Sequence, residues 1–492
     1  MKNINLRKAL AFLLCALCVL TFWSCGAGDV TGDDTKAPDD KPEKVYLDDL
    51  PDLDYQEEKI NIFYWDTSFL ANELTADGST GDVVDLAINN RNISVEERLN
   101  VVMNCIPGDI AAEIFMAIAA DEILSGVTDY DVIIGPYYEA AKWSQMCIFR
   151  DMAGAKYIDL SKNYWNKDYI DELSLCGRHY MLVGDLSMSG IKSAATMTFD
   201  LDLFEQTFGP AEDFYELVFS GDGAAGGWTY DVLSDYCRRA YVDLNGNAQR
   251  DNGDRYGFEV GHSSSILDVM TFSTGVSFSH RDANGDPVID VKTEKVYDFF
   301  SDFYRLFHEN QGVRVTPPEA SDDSSGVVRD VFSFGTMQDL VDMRAEERDF
   351  GVAPYPKYYN DDIQYHAATS PYTFSLPSYI TDDRAEMLSA VLECMASEGS
   401  RLCVPAYYEI ALKDKYTRDD ASVEMLDIIH DGATTDFISA YNLCIGGVGH
   451  CFGHLISYEE PNLASWYTAK EGMVNAKLAE LHDAYRNNPV GG

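Results

Sequence analysis

Lys59–Ser68 reads KINIFYWDTS and Tyr130–Tyr138 reads YDVIIGPYY. Each is a short run of β-branched and aromatic residues that stops at a turn, which predicts a buried strand. Between them, Asp82–Leu99 places Val83, Leu86, Ala87, Val95 and Leu99 at helical spacing. Asn100–Ile106 is strand-like. Ile110, Ile114, Phe115 and Ile118 then mark one face of a second helix, which stops near Gly126. Strand, helix, strand, helix, strand is the rhythm of a parallel sheet covered by helices, so the fold class is α/β.

Working outward, strands are expected over Tyr180–Val183, Ala194–Phe199, Arg255–Val260, Phe350–Ala353 and Tyr372–Leu376. Thr229–Tyr241 reads as a helix with Thr229 as its N-cap. From Asp383 onward the pattern is mainly helical, over Ala385–Ala396, Ser422–His430 and Ala464–Tyr485. The chain has 492 residues, 46% of them hydrophobic and 12% aromatic, enough for a large core in two or three domains. With 37 Lys+Arg against 82 Asp+Glu the net charge is −45. That excludes a general nucleic-acid binder and adsorption to an anionic lipid surface, both of which need clustered cations.

The N-terminus reads as a targeting segment. Lys2, Arg7 and Lys8 precede an apolar run from Ala9 to Trp23, too short for a stable membrane span and suited to a signal peptide over 1–24. Ser24-Cys25-Gly26 follows, a small residue before Cys at the end of an apolar run. It resembles the bacterial lipoprotein box, in which the Cys25 thiol takes a diacylglyceryl group. Residues 25–57 then read as an acidic, flexible tether without apolar periodicity. The eight cysteines beyond Cys25 form no CxxC pair and no zinc-ribbon spacing, and several sit in apolar contexts that suit free thiols.

Ser94–Asn100 (SVEERLN) with Tyr130–Ile134, then Gly227-Trp228-Thr229, Asp243–Gly257, Asp349–Lys357 (DFGVAPYPK), Pro405–Tyr408 and Asn462–Tyr467 (NLASWY) occur in an order that resembles a known family. That family is the sugar-binding branch of the extracellular solute-binding lipoproteins of bacterial ABC importers. The resemblance implies a two-lobe, periplasmic-binding-protein-like (type II) fold with a hinge and a helical C-terminal part. Lobe 1 is expected over 58–193 and 346–375, and lobe 2 over 194–345 and 376–492. It further implies a monomer with no enzymatic activity, tethered at the extracellular face of the cell membrane (the periplasm if the host has an outer membrane). Such a protein captures a carbohydrate and delivers it to ABC permease subunits. Two alternatives stay open: an exported glycan hydrolase using paired carboxylates, and a surface glycan-binding protein without a transporter.

A sugar offers weakly apolar C–H faces that stack on aromatic rings, and hydroxyls that need convergent donors and acceptors. In parallel α/β sheets the ligand site lies beyond the carboxyl ends of the strands. That rule selects Trp65 and Asp66 after the first strand, and Tyr137, Tyr138 and Glu139 after Ile134. The crossing segments add Asp185, Lys192, Ser193, Ser370 and Tyr372, and Arg344 precedes the return strand. Trp143, Trp165, Trp228 and Trp466 read as packing residues.

Asp243, Asn245, Asn247, Gln249, Asp251 and Asp254 fall at positions 1, 3, 5, 7, 9 and 12 of a twelve-residue loop, a spacing that lets one loop wrap a structural Ca²⁺. Ala248 stands where Gly is usual, and Asp254 reaches less far than Glu. Asp282–Asp286 (DANGD) reads as a hairpin turn. His450 and His454 are spaced for a helical metal pair, but the glycines around them argue against a helix. No GxSxG, P-loop or GxGxxG motif opens a helix, and no organic cofactor is expected.

Overall fold

The computed structural model describes residues 46–67, 71–108, 110–261, 263–316, 330–343, 348–416 and 420–488. Residues 1–45, which hold the expected signal peptide, Cys25 and most of the expected tether, and Arg344 lie outside the described residues. The strands are β1 (Glu58–Trp65), β2 (Val101–Gly108), β3 (Val132–Pro136), β4 (Ala195–Asp200), β5 (Tyr256–Gly261), β6 (Ser279–Arg281) and β7 (Pro287–Ile289). They continue with β8 (Val313–Thr316), β9 (Asp330–Thr336), β10 (Phe350–Ala353), β11 (Ala367–Ala368), β12 (Tyr372–Ser375) and β13 (Ala433–Thr434). The helices that bear on the argument are α1 (Ala71–Thr75), α2 (Val83–Leu99), α3 (Ala112–Ser125), α4 (Tyr137–Ser144), α5 (Lys167–Leu173), α6 (Asp382–Glu398) and α7 (Leu463–Asn487).

Two mixed sheets organise residues 46–488. The first has strand order β12-β3-β1-β2, with β1 parallel to both β2 and β3 and β12 antiparallel to β3. β1 is central, and Ile60, Ile62, Phe63 and Tyr64 are all buried because helices cover both faces. Asp82 caps α2 through its side chain, and α2 ends on Asn100 in the left-handed conformation. The second sheet has order β10-β4-β9-β5-β8. In it β5 runs parallel to β8 and β9, while β4 is antiparallel to β9 and β10. Trp228 anchors its core, fully buried, stacked on Phe332 at 5.6 Å and donating to the Pro354 carbonyl at 3.0 Å.

The chain crosses between the sheets three times. The first crossing, 184–194, follows the Leu182–Phe374 bridge and enters β4. The second, 354–371, runs from β10 to β12. The third is the continuation of α6, in wider π-type turns, as far as Tyr416. Gly399 in that segment passes so close to the first crossing that a Cβ there would collide with the Asp185 carbonyl oxygen.

Five expectations are corrected by the structure. Phe350–Ala353 pairs with β4 in the second sheet, although 346–375 was assigned to lobe 1. Helix α6 packs on α2 in the first lobe, although 376–492 was assigned to lobe 2. Residues 46–57, counted with the tether, lie against the first lobe: Arg98 pairs with Asp48 at 2.6 Å, and the Tyr55 N–H donates to the Leu99 carbonyl at 3.0 Å. Tyr180–Val183 forms only a bridge to Phe374, because β12 already occupies the sheet edge beside β3. Cys451–Ser457 is helical despite Gly453, which lets this helix approach Ser264 and Asp268 closely. The eight described cysteines are all free, five of them buried, and no described helix is long and apolar enough to cross a membrane.

Candidate functional site

The parallel strands of both sheets point their carboxyl ends at the crossing segments. In the first sheet that edge carries Trp65, Gly108, Pro136 and, from the antiparallel β12, Tyr372. In the second, β4 begins at Ala195 opposite the end of β9, and the Met337 N–H donates to the Ala194 carbonyl at 3.0 Å.

Trp65 ends β1 half-buried. Its indole N–H donates to the Ile110 carbonyl at 2.7 Å, and its ring meets Tyr372 edge-on at 5.8 Å. The Tyr372 hydroxyl shares a 3.0 Å hydrogen bond with Thr67. Asp66 is half-buried beside them, its N–H donating to the Gly108 carbonyl at 3.2 Å. Tyr137 and Tyr138 open α4 directly after β3, their rings edge-to-face at 5.7 Å. Tyr137 is buried and its hydroxyl meets Ser439 at 2.8 Å, whereas Tyr138 is half-buried. Burial pushes the phenols of Tyr138 and Tyr372 up to about 12, so both stay protonated as neutral donors.

Beneath this aromatic shelf, Lys192 forms a buried ion pair with Glu73 of α1 at 2.7 Å. The other Glu73 oxygen accepts from the Ser187 hydroxyl at 2.7 Å and the Met188 N–H at 3.0 Å. Lys192 also lies over the Tyr407 ring, 5.5 Å from its centre. Arg91 of α2 donates to the Leu186 carbonyl at 2.8 Å and also to the Glu73 carbonyl. The first two crossings are joined by hydroxyls: Ser189 Oγ accepts from the Tyr372 N–H, and Ser193 Oγ from the Ser370 N–H, each at 2.9 Å.

Asp185 lines a cavity of about 590 Å³, which runs beside the first crossing between Leu160–Tyr169 and the His430–Ala433 turn. The structure thus places Trp65, Asp66, Tyr137, Tyr138 and Tyr372 at the strand ends, with Lys192, Ser193 and Ser370 on the crossings, whereas Asp185 lines a cavity whose walls include none of these residues. Glu139 does not join them: it is buried under α4 and pairs with Lys142 one turn on, at 3.1 Å. Glu73, Thr67, Ser189 and Tyr407 were missed. Only Tyr407 and Thr67 carried a signal, as neighbours of stretches already singled out.

Burial pushes the Asp185 carboxyl up to about 6, against a hydrogen bond from Ser400. Asp436 is also raised to about 6 by burial, opposed by the Ile438 N–H. Both folded values exceed the unfolded 3.8, so the folded state binds these protons more tightly. Their contribution to stability is full below about pH 4 and is lost as the pH rises through about 6. Asp185→Asn is expected to raise stability near pH 7 by up to about 2 kcal/mol and to leave it unchanged near pH 4. Urea unfolding at both pH values checks this.

No family model and no curated protein matches the sequence. Solved structures do match the fold. The cyclic alpha-maltosyl-1,6-maltose binding protein from Arthrobacter globiformis superposes with a TM-score of 0.57 at 11% identity, over 86% of this chain and 99% of that one. A sugar transporter from Rhizobium etli, in an open conformation, gives 0.53 at 13% identity, over 87% and 99%. An ABC substrate-binding protein from Listeria monocytogenes in complex with cycloalternan gives 0.50 at 10% identity, over 87% and 99%. At these identities the likeness is one of fold: two α/β lobes joined by crossing segments.

Proposed function

We propose that this chain is a carbohydrate-capturing solute-binding protein, anchored by a lipid on Cys25 at the extracellular face of the membrane (the periplasm if the host has an outer membrane). It works as a monomer that hands an oligosaccharide to the permease subunits of an ABC importer. The observation that supports this most is the aromatic shelf at the carboxyl edge of the first sheet, where Trp65 and Tyr138 are half-buried and Tyr372 is buried with its ring against Trp65. Rings there offer faces to sugar C–H groups, and neutral phenols, Asp66 and the serine hydroxyls offer polar partners. Contacts drawn from both lobes would favour a closed state and so supply the differential affinity that closure requires. The structural neighbours include proteins whose names state sugar binding or sugar transport, which agrees with this reading.

The test is a thermal-shift screen over a panel of glycans, followed by calorimetry and product analysis. One glycan class should raise Tm by mass action and be recovered intact. Cleavage of the glycan would move the assignment to the hydrolase, and a Tm indifferent to every glycan would remove the carbohydrate.

We assign a structural Ca²⁺ to Asp243, Asn245, Asn247, Gln249, Asp251 and Asp254. Asp254 is fully buried, and its Oδ1 has no partner, while Oδ2 accepts from the Tyr241 hydroxyl at 3.0 Å. Asn245 and Asn247 already converge on Asp251, at 2.9 and 2.6 Å. Ala248 takes the left-handed conformation (φ 57°) that the loop spacing would otherwise give to Gly. The loop precedes β5, at the edge of the second sheet opposite the crossings, so the ion acts on stability and not on the shelf. Removing Ca²⁺ with a chelator is expected to lower Tm by a few degrees, and Asp251→Ala to abolish that response. Equal Tm with and without chelator would refute the assignment.

A further inference from the structure

Among the described residues one cluster of metal-ligating groups stands apart from both the shelf and the 243–254 loop. Cys176 sits in the tight turn closed by the Leu175–Arg178 bridge. Asp286 lies at the tip of the β6–β7 hairpin, and His482 faces it from the last turns of α7. The Cys176 sulfur, an Asp286 oxygen and a His482 ring nitrogen all lie within 4.8 Å of one another. From this geometry we propose a Zn²⁺ site formed by Cys176, Asp286 and His482, with water in the fourth position.

The chemistry of the donors selects the ion. A thiolate, an imidazole and a carboxylate form the mixed sulfur, nitrogen and oxygen set that suits Zn²⁺ better than Ca²⁺ or Mg²⁺. Bond lengths of about 2.0–2.3 Å in a tetrahedron put neighbouring ligand atoms roughly 3.5 Å apart. The observed cluster reaches that by a small contraction. His482 Nε2 is buried without a hydrogen-bond partner, and a buried polar atom without a partner is costly. Arg486 donates to one Asp286 oxygen at 3.1 Å, which orients the carboxylate and leaves the other oxygen for a metal. Two anionic ligands neutralise the dication, and the same Arg486 nitrogen lies 3.4 Å from His482 Nδ1, on the other ring nitrogen from the unpartnered Nε2. Cys176 occupies a left-handed backbone position (φ 54°), strained for any residue with a side chain.

A cysteine binds Zn²⁺ as its thiolate, so the ion displaces the thiol proton on binding. The ion would fasten three segments remote in sequence where Arg281 already ties the hairpin to α5. The Arg281 guanidinium donates there to the carbonyls of Asp171 at 2.8 Å, Glu172 at 2.6 Å and Ser174 at 2.9 Å. This proposal is independent of the carbohydrate reading.

The test uses the chelator-treated full chain, titrated with Zn²⁺ by calorimetry and analysed for bound metal after dialysis. One Zn²⁺ per chain is expected. Cys176→Ser and His482→Gln should each weaken binding at least about tenfold, while Asp251→Ala in the calcium loop leaves it unchanged. Co²⁺ in place of Zn²⁺ should show a thiolate-to-metal charge-transfer band that Cys176→Ser lacks. Circular dichroism of the metal-free variants confirms that they fold. No bound Zn²⁺, equal binding by all variants, or a Co²⁺ spectrum without the thiolate band would each overturn the site.

Discussion

Trp65→Ala is expected to weaken binding of the glycan found in the thermal screen by roughly 30- to 150-fold, about 2–3 kcal/mol. The indole ends the central strand, is held edge-on by Tyr372, and is pinned by its N–H to Ile110. Its remaining surface is half-exposed above the crossings, the situation of a binding anchor and not of a core ring. Because the ring is only partly buried, the loss of fold stability should be smaller than the 3–5 kcal/mol typical of a buried aromatic, at about 1–2 kcal/mol. Trp65→Phe keeps a ring at the same place and should retain most of the affinity. Calorimetry reads the affinity and urea unfolding the stability. An unchanged Kd in Trp65→Ala would take the shelf out of the binding site.

Glu73→Ala is expected to destabilise the fold by about 3–5 kcal/mol. The substitution removes the carboxylate from beside the Lys192 ammonium, in a site where only 9% of the residue is exposed, and takes away the acceptor of the Met188 N–H. A buried charge without its partner is far more costly than the pair is stabilising. The double variant Glu73→Gln with Lys192→Met removes both charges and should therefore be more stable than Glu73→Ala. Urea unfolding of the two variants and the parent gives the comparison. A loss below about 1 kcal/mol in Glu73→Ala would show that water reaches the pair and that it is a surface contact.

The first βαβαβ unit was legible because β1 and β3 are buried on both faces and so read as mainly apolar runs, broken in β1 only by Asn61. The fate of Phe350–Ala353 was not. DFGVAPYPK is equally apolar in either sheet, and its partner is chosen by contact with Met197–Asp200, far away in sequence. Helix α6 misled for a different reason. From Met387 to Glu398 it is buried on every side, yet it carries Ser389, Glu393, Ser397 and Glu398. Glu393 is tolerated there because Tyr164 and Trp165 donate to it at 2.5 and 2.8 Å, and Glu398 because Arg401 pairs with it. Polar letters in a fully enclosed helix hide its place in the fold. The positions of Trp65 and Tyr137 at strand ends followed from the strand pattern alone, and that of Tyr372 from a crossing segment. Glu73 was not legible, since a short helix with a single acid gives no sign that a lysine in a distant segment will meet it.

The serine links between the first two crossings have a mechanical consequence. Each acceptor oxygen is itself tied down: Ser189 Oγ also accepts from the Ser187 hydroxyl at 2.9 Å, and Ser193 Oγ donates to the Ser189 carbonyl at 2.6 Å. The two segments are therefore pinned to each other at two points by a side-chain network in place of a backbone ladder, and losing either hydroxyl would strip an amide of its acceptor.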